Sequence, residues 1–148
     1  MGKSKWILAL LCLMGALSLS AQAERPTSPV PGRAMLKIYQ KSSYGSNMFM
    51  LKINDQVVAD PLHTRHWFMV QVPPGRLTLE TAVRSRYPTY ESKTFYLDVE
   101  PDKIYYLEAV TDFDFLISRL YLYQSEAGEA SSAIKKMKYD EESIGTVD

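Results

Sequence analysis

From Ala34 onward the chain alternates apolar and polar positions with the two-residue period of strands that bury one face. In residues 34–40 Leu36 and Ile38 fall on one side, Lys37 and Tyr39 on the other. Residues 48–53 repeat the pattern with Phe49, Leu51 and Ile53. Asn54-Asp55 then supplies a two-residue reversal into residues 56–59, because Asn and Asp tolerate left-handed backbone. Residues 66–84, HWFMVQVPPGRLTLETAVR, read as two strand-forming runs joined by Pro73, Pro74 and Gly75. The prolines lack a donor and fix φ, and glycine accepts positive φ, so the chain turns there and a β-hairpin is predicted. In its second arm Leu77, Leu79, Thr81 and Val83 share the dry face, and Thr78, Glu80 and Ala82 the wet one.

Residues 85–92 form a polar loop, and residues 93–99 then turn Phe95, Leu97 and Val99 inward. Glu100-Pro101-Asp102-Lys103 has proline where a type I turn prefers it, and residues 104–111 and 116–124 complete the series. About eight strands at roughly ten-residue spacing, with no βαβ period, predict an all-β fold, an antiparallel β-sandwich in residues 34–124. Residues 125–139 differ. Ala130, Ala133, Ile134 and Met137 recur at helical spacing, with Glu126 and Glu129 early and Lys135, Lys136 and Lys138 late. One short C-terminal helix is therefore expected, with Ser125 as its N-cap and an acidic, frayed tail at 140–148.

The first 23 residues set the expected compartment. Lys3 and Lys5, the apolar run from Trp6 to Leu19, and Ala21-Gln22-Ala23 describe a secretory signal peptide, too short an apolar run to serve as a bilayer anchor. The expected product is periplasmic or secreted, with no transmembrane span after cleavage. Cys12 lies within the apolar run, so a lipoprotein signal is set aside. Residues 24–33, with three prolines, read as a flexible leader. Without residues 1–23, 125 residues remain, carrying 15 basic and 17 acidic side chains and no cysteine. That balance gives no reason to bind nucleic acid, and the fold must hold by burial without disulfides.

Candidate chemistry is sparse. Asp60, His63 and His66 in DPLHTRH carry the ligand types of a zinc or acid/base site, the requirement for a metal-dependent hydrolase. A His-x-x-His pair shares one face only on a helix, however, and Pro61 opposes a helix, so no metal or cofactor is expected. Asp112 and Asp114 offer too few oxygens for calcium, and Phe113 and Phe115 are expected to pin that loop. Among the ten tyrosines, Tyr39, Tyr96, Tyr105, Tyr106, Tyr121 and Tyr123 read as strand residues. Tyr87 and Tyr90 lie in a loop and are the candidate contact surface, for an envelope protein or, with Trp67, for a glycan.

The ordered segments LKIYQKSSYGSN, IND with QVVAD, WFMVQVPPGRLTLE and YLDVEPDKIYYLEAV carry a resemblance. Together they are similar to the bacterial exported family known as domain of unknown function twenty-eight forty-six. The matching positions are Tyr39, Gly45, Asn54 with Asp55, Val72 to Gly75, and Lys103 with Tyr105 and Tyr106. The resemblance runs from Ala34 to about Lys138 and implies an exported β-sandwich with no known activity. Many relatives look like lipoproteins, and this chain departs from them in lacking the acylated cysteine. The expectation is a non-enzymatic module that acts by contact with another envelope protein or, alternatively, with peptidoglycan.

Overall fold

The computed structural model describes residues 25–42, 48–84, 92–114, 117–143 and 145–148; the expected signal segment, Gly45, Tyr87, Tyr90 and Phe115 lie outside them. Among the described residues the order is β1 (Ala34–Tyr39), β2 (Met48–Ile53), β3 (Gln56–Leu62), β4 (His66–Val72), β5 (Gly75–Arg84), β6 (Lys93–Val99), β7 (Ile104–Asp114), β8 (Ile117–Ser125), α1 (Ala127–Ile134) and β9 (Lys138–Tyr139). Two sheets form, ordered β8-β7-β1-β4-β9 and β3-β2-β5-β6. The expected all-β sandwich is present. Its larger sheet is mixed, because β1 runs parallel to β7 and β9 parallel to β4.

The period-two reading placed the core well. Leu36, Ile38, Phe49, Leu51, Ile53, Leu77, Leu79, Val83 and Val99 all belong to one buried apolar cluster between the sheets, with Phe95 and Leu97 packed against it. Thr81, the polar member of the dry face, donates its hydroxyl to the Leu120 carbonyl at 2.7 Å and so ties β5 to β8. The Asn54-Asp55 turn also forms as expected, with φ of 47° and 65° and Ile53 paired to Gln56.

The hairpin expected around Pro73, Pro74 and Gly75 is not one. β4 pairs with β1 and β9, whereas β5 pairs with β2 and β6, so the turn carries the chain from one sheet to the other. Two successive prolines cannot donate to a ladder, and Gly75 at φ 116° sends β5 onto the facing layer. The turn before Ile104 crosses between layers as well.

Both ends of the domain meet on β4. Residues 25–33 follow a defined path: Val30 donates to the Gln71 Oε1 at 3.1 Å, and Pro31-Gly32 makes a tight turn closed by Arg33 N–H to Val30 C=O at 2.9 Å. The tail expected to fray instead continues alongside β4. Gln71 donates to Gly145 and receives from Val147, Val147 is wholly buried, and the Arg33 guanidinium donates to the Val147 carbonyl. Two apolar side chains, Ile144 and Val147, in an otherwise polar and acidic stretch give no strand or helix period, which is why this docking was invisible to pattern reading.

The helix is shorter than expected, ending at Ile134. Ser125 is not its cap; Glu126 holds that position without a side-chain cap, and Ser125 closes β8, where its hydroxyl accepts from Tyr39 at 2.9 Å. Tyr39, expected on an outer face, is fully buried.

Candidate contact surface

One edge strand of each sheet, β6 and β8, lies on the same side of the sandwich, and the two are in contact with one another. Here the described residues concentrate their exposed apolar side chains. Val110, Phe113, Ile117, Tyr96 and Tyr123 all project from β6, β7 and β8, and of the exposed large hydrophobics only Val30 lies elsewhere. Tyr96 and Tyr123 are 62% and 55% exposed.

Ladder register accounts for part of the grouping, since Val110, Ile117 and Tyr123 share one face of the β7–β8 ladder while Phe113, opposite Ser118, and Tyr96, on the other sheet opposite Thr78, do not. Glu108, Val110 and Asp112 stand opposite Tyr123, Tyr121 and Arg119, so these side chains share the outward face of the β7–β8 hairpin. Tyr121 meets Phe95 of β6 edge-on at 6.4 Å and stacks on Tyr123 at 6.3 Å, an aromatic series running from one sheet edge to the other. The Arg76 guanidinium sits 4.8 Å above the Tyr96 ring. Between the edges a cavity of about 250 Å³ opens, lined by Leu79, Phe95, Leu97, Leu107 and Leu122 with Thr94 and Gln124 at its polar margin. Phe113, expected to pin its loop, is 58% exposed instead. Asp112 pairs in register with Arg119 within the β7–β8 ladder.

The histidines expected on a loop flank the strand junction. Asp60 lies within β3, His63 follows it, and His66 opens β4. The two rings stand 5.3 Å apart, and the His66 Nδ1–H donates to the Thr64 carbonyl at 2.8 Å. They line a cavity of about 550 Å³ whose other wall comes from the tail residues Asp140, Glu141 and Glu142, and Asp60 is not part of it. The acidic residues that share this cavity with the imidazoles are thus ones that spacing in the sequence could not bring to them. Among the described residues no three His, Cys, Asp or Glu side chains converge in an arrangement able to hold a metal ion. Trp67 is engaged as well: Tyr139 meets it edge-on at 4.9 Å, and Arg25 lies 4.3 Å over the Tyr139 ring. One side of the Trp67 ring is thus taken up by Tyr139, and the residue is half-buried.

A third polar group lies at the end of β1. Tyr39 donates to Ser125 and also reaches Glu108 at 3.3 Å, while the Lys41 ammonium bridges Glu108 at 3.0 Å and Glu129 of α1 at 3.1 Å. Burial pushes the Tyr39 phenol above its usual pKa, and the Glu108 hydrogen bond raises that of Lys41. This network fastens α1 to the sheet; its hydroxyl, ammonium and carboxylates are engaged with one another.

Comparison with protein-family models, with curated proteins and with solved structures finds no match for this chain. No helix among the described residues is long and apolar enough to cross a membrane.

Proposed function

We propose that this protein is a non-catalytic, exported module that acts by contact with another envelope protein, presenting the β6–β8 side of its sandwich. The observation that carries the reading is the concentration of exposed apolar side chains around two free sheet edges. An edge strand offers a row of unpaired backbone groups, and apolar patches beside it favour pairing with another chain unless a partner covers them. Tyr121 and Tyr123 supply rigid amphipathic area of the kind that dominates binding energy at interfaces.

The export signal and the family resemblance are carried as parts of this proposal, resting on residues 1–23 and on motif order. N-terminal sequencing of the mature protein is expected to begin at Glu24; retention of residues 1–23 would contradict cleavage. Tyr87 and Tyr90 are proposed as an extension of the contact surface. The test is affinity capture from envelope extracts with the native chain, Tyr121→Ala/Tyr123→Ala and Tyr87→Ala/Tyr90→Ala side by side. A specific protein retained by the native chain and lost with the β8 variant supports the reading. The same protein retained equally by all three chains would remove both surfaces.

A further inference from the structure

On a different part of the surface, the end of β1, the turn before β4, α1 and the turn after it border an open groove of about 420 Å³ lined by Lys41, Arg65, Glu129, Ser132, Lys136 and Met137, among others. Three of these are cations. Lys41 is committed to Glu108 and Glu129. Arg65 and Lys136 are exposed, and among the described residues neither forms an ion pair with a carboxylate.

Arg65 is held in an unusual way. Among the described residues four non-glycines have positive φ; three are Asn54, Asp55 and Asp102, types that tolerate it, and the fourth is Arg65 at φ 59°. Its backbone is fixed on both sides, its N–H donating to Gln40 C=O at 2.8 Å and its C=O receiving from Lys138 N–H at 3.1 Å. The pinned backbone fixes where the Arg65 side chain leaves the main chain at the wall of the groove, and Lys136 brings a second positive charge from another part of the chain.

We propose that this groove binds a phosphate group carried by a small organic ligand or a lipid headgroup. A guanidinium and an ammonium, neither committed to a carboxylate, match the double negative charge and several acceptor oxygens of a phosphate monoester better than the single charge of a carboxylate. Met137 and Ala133 give the wall an apolar portion suited to the carbon part of such a ligand. Glu129 opposes an anion, as do the C-terminal carbonyls of α1; Lys41, shared between Glu108 and Glu129, offsets part of that charge, and Lys136 stands at the carbonyl end, so Arg65 and Lys136 leave the surroundings net positive.

The experiment is calorimetric titration of the purified full chain with glycerol 3-phosphate, alongside co-sedimentation with phosphatidylcholine vesicles prepared with or without phosphatidic acid. Saturable binding of glycerol 3-phosphate is expected, weakened about tenfold or more in Arg65→Gln and in Lys136→Gln, partly restored in Arg65→Lys, and unchanged in His66→Ala. Uptake by the phosphatidic acid vesicles that Arg65→Gln abolishes assigns the phosphate to a lipid; glycerol 3-phosphate binding without vesicle uptake assigns it to a soluble ester. Absence of both, or binding that Arg65→Gln and Lys136→Gln leave intact in folded protein, overturns the proposal.

Discussion

Tyr39 sits on the polar face of β1 by alternation, yet it is fully buried, because Ser125, Glu108 and the Lys41 bridge to α1 close over it. A strand's period tells which residues share a face and not whether something covers that face. Burial raises the phenol's pKa above the 10.0 of the free side chain, so the folded state keeps its proton longer than the unfolded chain does. Its contribution is complete below about pH 10 and is lost as pH rises through the folded value. Tyr139 and Lys41, both also raised, act in the same direction. Urea unfolding is therefore expected to lose stability above pH 10, and Tyr39→Phe to lose less over that range while costing about 0.5–1.5 kcal/mol at neutral pH for its hydrogen bonds. An unchanged alkaline slope in the variant would contradict the assignment. Gly75 makes the same point through backbone. No atom stands within 4 Å of a Cβ added there, but φ is 116°, so Gly75→Ala is expected to destabilise by about 1–2 kcal/mol through strain alone.

At the scale of elements, turns with strict side-chain requirements were the most legible. Asn54-Asp55 specifies a tight two-residue reversal, and the structure has it. Pro73-Pro74-Gly75 specifies a reversal too, but its residues say nothing of which strand lies beside the next, and the chain uses it to change sheets. Helical spacing located α1 but overextended it, since Lys138 and Tyr139 pair with β4 and Ser125 belongs to β8. The tail was illegible because, among the described residues, its anchoring comes from the lone buried Val147, from backbone hydrogen bonds to Gln71 and from the Arg33 guanidinium, contacts that leave no period in the sequence. Removing residues 145–148 is expected to cost about 2–3 kcal/mol, the burial of one valine plus the lost bonds, and to speed hydrogen exchange at the Gln71 amide. Stability and exchange like those of the full chain would show that the tail contributes nothing.

For the whole molecule, the two sheets share one apolar core, drawn from alternating positions that could be read directly from the residues. The surface was harder to read. Composition placed the contact tyrosines at Tyr87 and Tyr90, outside the described residues, whereas the exposed rings at Tyr96 and Tyr123 depend on which strands end each sheet, a property of topology that local pattern does not encode. The histidine cleft has the same origin, its acidic wall arriving from more than 70 residues away in the chain. In functional terms the account stands on the β6–β8 side meeting another protein. The most direct measurement is site-specific photo-crosslinking in intact cells, with a photoreactive phenylalanine analogue at position 123 on β8 and, for comparison, at position 57 on β3 at the other edge of the facing sheet. A discrete protein adduct from position 123 and none from position 57 is the result expected; equal labelling from both positions, or no adduct from position 123 in folded, exported protein, would contradict it.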